Sequence, residues 1–120
     1  MILKNFNLNE NIFKKNSLFL FYGKNEGFKD DEISKITKGK NLTFMEEKEI
    51  LNDTDSFFDN INSGSLFEKE RIILIKRATD KICKVIDEIN QKETKDIKII
   101  LNSGPLDKKS KLRSLFEKSS

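Results

Sequence analysis

Histidine and tryptophan are absent from this chain, and cysteine and proline occur once each. Without histidine, neither a Ser-His-Asp triad nor a Cys-His pair can be built, which closes two common routes to an activated nucleophile. The same absence leaves carboxylates as the only clustered metal-ligand type, whereas structural zinc sites need cysteine or histidine. A single cysteine forbids an intramolecular disulfide and fits a reducing, cytoplasmic setting. Within Ile82-Cys83-Lys84-Val85-Ile86 that cysteine reads as a packing or surface residue. No apolar run approaches the roughly 20 residues that a membrane-spanning helix requires. The opening Met1-Ile2-Leu3-Lys4-Asn5-Phe6 lacks the apolar core and small-residue cleavage site of a signal peptide, so the expected location is inside the cell with no membrane partner. Nor does one sign of charge dominate. The 23 basic and 20 acidic residues are interspersed and give a formal charge of +3, too balanced to argue for nucleic-acid binding.

What is present is a set of short apolar runs alternating with amphipathic stretches. The 120 residues, 36% hydrophobic and 36% charged, suit one domain spanning 1–120 with a single core. Leu18-Phe19-Leu20-Phe21-Tyr22, Leu42-Thr43-Phe44-Met45, Ile72-Ile73-Leu74-Ile75 and Ile99-Ile100-Leu101 (preceded by Ile97) are too short and too continuous for amphipathic helices. They suit parallel strands covered on both faces. Between them, Ile82, Val85, Ile86 and Ile89 follow helical spacing after Thr79 or Asp80 as N-cap. Leu112, Leu115 and Phe116 repeat it after Asp107. Phe57, Phe58 and Ile61 predict a shorter helix stopping near Gly64, and Phe28, Ile33 and Ile36 a sparser one ending before Gly39. The first sixteen residues add a small strand at Ile2-Leu3 and a helix carrying Leu8, Ile12 and Phe13. Strict alternation predicts a three-layer α/β fold, with a parallel sheet, right-handed crossovers and helices on both faces.

A strand, a glycine and a helix near the start of such a domain raise the question of a phosphate-binding loop. That loop needs glycine, four free positions, then Gly-Lys and a hydroxyl residue, so that backbone amides wrap the phosphates and the hydroxyl holds magnesium. Counting from Gly23, the second glycine position holds Phe28, the lysine position Lys29 and the hydroxyl position Asp30. A phenyl group would crowd the phosphates and an aspartate would repel them. The strand Ile72–Ile75 runs into Lys76 and Arg77, where a magnesium-handling carboxylate would be needed. In a lysine-rich chain, Lys29 alone is readily coincidental. The pattern looks like a P-loop fold without its catalytic parts, and no cofactor is expected. The acidic pairs Asp30-Asp31 and Glu46-Glu47 read as solvated faces. The competing enzyme reading is a small nucleotide-binding enzyme with a divergent phosphate loop. A third reading, a DNA-binding module using Lys108, Lys109, Lys111 and Arg113, is weakened by Asp107 and Glu117 on the same stretch.

Asn62-Ser63-Gly64-Ser65-Leu66-Phe67-Glu68 sets a large aliphatic beside a large aromatic residue in a polar context. Neighbours on extended backbone point opposite ways, so the pair does not fit one core pocket. Either one of them closes the layer beneath the preceding helix, or both form an exposed plug for a partner's groove. Spacing alone leaves both open.

Three segments resemble the delta subunit of the bacterial DNA polymerase III clamp loader. They are Leu18 to Gly23 followed by Asn25-Glu26-Gly27-Phe28; Ser65-Leu66-Phe67 followed by Ile72 to Ile75; and Ile97 to Leu101 followed by Leu106-Asp107-Lys108-Lys109. The resemblance covers the N-terminal domain of that family, so it implies a fragment of a longer subunit. It implies an AAA+-like fold without a working ATP site, and no catalytic activity. It further implies that Leu66 and Phe67 insert into a hydrophobic cleft of the sliding clamp, with Ser65 as a rim contact. Other clamp-loader subunits are then further partners, and DNA is met only indirectly.

Overall fold

Strands covered on both faces must be apolar at consecutive positions, and the innermost strand of this protein is buried along its whole length. The computed structural model describes residues 2–3, 17–62, 71–92 and 97–119. The strands are β1 (Ile2–Leu3), β2 (Leu18–Phe21), β3 (Leu42–Glu46), β4 (Arg71–Ala78) and β5 (Ile97–Ser103). The helices are α1 (Glu26–Thr37), α2 (Glu47–Asn52), α3 (Thr54–Asn62), α4 (Cys83–Lys92) and α5 (Lys111–Ser119), with a 3-10 turn at Asp80–Ile82. The strands form one five-stranded sheet in the order β1-β2-β5-β4-β3. Every pairing is parallel. The radius of gyration, 13.5 Å, is close to the roughly 14 Å of a compact domain this long.

The order explains the layers. From β2 the chain crosses over two strands to β3, then steps back one strand at a time to β4 and β5. Right-handed crossovers in opposite directions carry their helices to opposite faces. Accordingly Ile33 and Ile36 of α1 pack with Phe19, Phe21, Ile72, Leu74 and Ile100 on one face. On the other, Ile50, Phe57, Ile61, Val85, Ile86, Ile89, Leu112 and Phe116 cover Leu20, Ile73, Ile75, Ile99 and Leu101. The predicted three-layer α/β arrangement is observed, including the small strand at Ile2–Leu3. The helix expected to carry Leu8, Ile12 and Phe13 lies outside the described residues. No helix among the described residues is long and apolar enough to cross a membrane.

Three details differ from the sequence-based expectation. Helix α2 was not anticipated, because a six-residue helix is too short to display a period of 3.6. Its Ile50 is nonetheless fully buried. Glu47, expected on a solvated face, is also buried. Its carboxylate accepts the Thr79 amide at 2.6 Å and the Thr79 hydroxyl at 2.7 Å, tying the start of α2 to the end of β4. Thirdly, the caps shift. Thr79 caps the 3-10 turn through Lys81 N, ahead of α4. Asp107 accepts Lys109 N in the turn before α5, while the Ser110 hydroxyl accepts Arg113 N at the helix start.

Candidate functional site

Ser65, Leu66 and Phe67 lie outside the described residues; the elements that flank them do not. Phe57 and Ile61 anchor α3 in the core, and the Phe57 and Phe58 rings meet edge to face with centroids 5.8 Å apart. Across the connection, the Arg71 guanidinium donates to Asn60 O at 3.0 Å and Asn60 Oδ1 at 2.9 Å, joining the last turn of α3 to the first residue of β4. Ile72 N donates to Asn41 O at 2.9 Å, so β4 is held from its second residue onward. Both ends of the connection are therefore fixed, at the edge of the sheet where the parallel strands begin.

The opposite edge, where the strands end, is where ligands of open parallel sheets bind, at the point where successive connections leave for opposite faces. Here that point lies between β2, which leads to α1 on one face, and β5, which leads to α5 on the other. The turns after the two strands are joined by Gly23 N donating to Gly104 O at 3.3 Å. Gly23 has φ of 129°, open only to glycine at low energy. The α1 N-terminus is occupied by its own chain: Asn25 Oδ1 accepts Phe28 N at 2.9 Å, and Glu26 adds a negative charge to the first turn. Lys29, at the lysine position of the loop comparison, is 3% exposed. Its ammonium donates to Gly23 O at 2.9 Å, Ser103 O at 2.6 Å and Glu26 Oε1 at 2.6 Å.

Beside it is a cleft of about 550 Å³ lined by Glu26, Asp30, Glu46, Lys76 and Arg77 among others. Asp30 and Asp31 are exposed, as expected. The end of β4 carries a bulge: Ile75 pairs with Leu101 and Ala78 with Ser103, which leaves one more residue on β4 than on β5 between those pairs. Arg77 there has φ of 56°. The bulge lets Ala78 return to the core while Lys76 and Arg77 both stay exposed. Lys76 lies 4.6 Å over the ring of Phe44, which is 58% exposed, and Arg77 Nε is 3.9 Å from Glu46 Oε2.

Much of the remaining polar rim is joined to itself. Ser103 Oγ donates to Ala78 O at 2.7 Å. Asp80 Oδ1 accepts Leu112 N at 3.0 Å and Ser110 Oγ at 2.7 Å, and these bonds hold its carboxyl below the ordinary aspartate range. Burial, and then repulsion from Asp80, push the Cys83 thiol upward, so it stays protonated and packs as the sequence suggests. Among the described residues no group of His, Cys, Asp and Glu could hold a metal ion. Arg113 pairs with Glu117 at 2.8 Å and lies 5.4 Å from the Tyr22 ring, so it is engaged within the domain. Of the four basic residues Lys108, Lys109, Lys111 and Arg113, the first two sit in the turn before α5 and the other two on the helix, so the four form no single helical stripe.

The sequence reading missed the work done by Lys29. Its one available signal was Glu26 three residues earlier, a spacing that brings the two side chains together on a helix. Comparison of the chain with protein-family models, with curated proteins and with solved structures found no match.

Proposed function

We propose that this chain is the clamp-binding domain of a bacterial clamp-loader delta subunit, a non-catalytic part of the DNA polymerase III machinery. In this reading Leu66 and Phe67 enter a hydrophobic cleft of the sliding clamp, and Ser65 lies at its rim. The observation that carries it is the ordered resemblance of three segments, whose apolar runs fall on β2, β4 and β5. Those are the three adjacent central strands of the sheet. A P-loop/AAA+-like ancestry for the fold belongs to the same proposal. It is supported by the parallel sheet with a cleft lined by Glu26, Ser103 and Gly104 where the strands end, and by a lysine at the expected position that is bonded to protein atoms.

The mechanism is mechanical. A grip formed near one subunit interface of a closed ring opens that ring only by binding the sprung conformation more tightly than the closed one. ATP-binding subunits of the loader control when the grip is presented, and DNA is engaged through the clamp. A firm base suits this role, because force applied at the tip must be resisted by its flanks. The Arg71–Asn60 bonds and the buried Phe57 and Ile61 provide such a base.

The test is a titration with the sliding clamp of the same organism. Apolar burial stabilises by about 25 cal/mol per Å², so an anchor pair contributes a few kcal/mol and its loss weakens binding by at least about tenfold. Leu66→Ala combined with Phe67→Ala is expected to show that loss, with the circular dichroism of the fold retained. Unchanged affinity, or no binding by the wild-type chain, refutes the proposal.

A further inference from the structure

The geometry points to Lys29 as a built-in occupant of the phosphate crevice, a strut whose ammonium closes that site to phosphate ligands. This does not depend on the clamp reading. An ammonium carries three donors and no acceptor, and the acceptors at Gly23 O, Ser103 O and Glu26 Oε1 complete its set. Two of these are main-chain carbonyls at the ends of different strands, β2 and β5. The third is a carboxylate one helical turn back. One charged group therefore ties two strand ends and the first turn of α1 together.

A lysine that served a phosphate would need its ammonium directed outward. Here the side chain is 4% exposed and its carboxylate partner is 62% exposed, so the negative group, not the positive one, faces the solvent. Turning the ammonium toward a phosphate would take a 2.6 Å donor from the carbonyl of Ser103, a residue that is 2% exposed, and lost hydrogen bonds to buried main-chain groups are costly. The phosphate would also meet Glu26, Asp30 and Glu46, in a cleft whose two exposed cations, Lys76 and Arg77, face the Phe44 ring and the Glu46 carboxylate. The strut and the loss of a phosphate-binding lysine are one device: the positive charge at the loop position is neutralised from within.

The test uses the full chain, followed by circular dichroism on heating. Lys29→Met keeps the volume but removes the charge, and is expected to fold and to melt roughly 10 °C lower than wild type. Lys29→Ala leaves a nook shaped for an ammonium. Propylammonium chloride is expected to raise its melting temperature by several degrees relative to sodium chloride at equal ionic strength, and to leave wild type and Lys29→Met unmoved. If Lys29→Ala is unfolded on its own, recovery of its helical signal on adding propylammonium supports the strut equally. Mg-ATP is expected to leave the wild-type melting temperature unchanged, since a ligand of the native state alone must raise it. An unshifted Lys29→Met, a Lys29→Ala that ignores propylammonium, or wild type stabilised by Mg-ATP overturns the inference. Clamp titration of wild type reads the proposed function separately, so either idea can fail alone.

Discussion

Asp80 shows how one side chain on the rim can hold an element in place. It caps α5 from a distance, accepting the Leu112 amide and the Ser110 hydroxyl across a sequence separation of about thirty residues. These bonds favour the ionised form, so its folded pKa lies below the ordinary 3.8 and the capping contribution has a definite pH window. It is fully present above the unfolded value and is lost as pH falls through the lower folded one. Asp80→Ala is expected to lower stability at pH 7 by about 1 kcal/mol, the typical worth of a cap, and not more because the carboxylate is exposed. Urea denaturation should show the gap to wild type closing below pH 3.8. A gap unchanged at pH 3 would mean that the carboxylate charge is not what docks α5. None of this was legible in the sequence, where Asp80 reads only as a cap for the helix that follows it. Sequence distance hides a partner that only folding brings within 3.0 Å.

At the scale of elements, the strands and longer helices were legible because their patterns repeat. Continuous branched runs marked β4 and β5, and the unbroken spacing of Val85, Ile86 and Ile89 marked α4. Helix α1 was sparser because its buried face includes Lys29, Glu32 and Thr37 beside Ile33 and Ile36. Helix α2 was not legible, having too few turns to show a period. The bulge in β4 was hidden for another reason. Lys76-Arg77 reads as the end of a strand, whereas the chain continues for one more turn of pleat by inserting Arg77 at φ of 56°. A β-branched residue at positive φ crowds its own backbone. Arg77→Val is therefore expected to destabilise by roughly 1–2 kcal/mol, and Arg77→Gly to be nearly neutral as relief of strain offsets lost chain entropy. Denaturant midpoints measure both. Equal midpoints for the valine and glycine variants would show that the left-handed conformation does not matter to the fold.

For the molecule as a whole, the core is two half-cores divided by one sheet, and alternate residues of β5 serve each half. Ile100 lies in the α1 half while Ile99 and Leu101 lie in the other. Leu101 is fully buried. Leu101→Ala is expected to reduce stability by about 2–5 kcal/mol, a large fraction of the roughly 5–15 kcal/mol available to a domain. Thermal unfolding checks it, and a shift under about 2 °C would mean that this face is not close-packed. The sequence by itself determined that such a sheet would form and most of the residues that fill it, because hydrophobic periodicity is a local property; it did not show that Phe44, read as covered on both faces, lies exposed on the edge strand β3, or that Ile50 is buried. It also showed that the segment after Gly23 departs from the phosphate-loop pattern, since Phe28 and Asp30 stand where that pattern has a glycine and a hydroxyl residue. Only the tertiary structure decided where the Lys29 ammonium points and what it bonds. Two of the acceptors that hold Lys29, Gly23 O just past β2 and Ser103 O at the end of β5, are distant in the chain and brought together by neighbouring strands of the sheet. Hydrogen bonds to main-chain carbonyls leave no residue-type signature, because every residue has one.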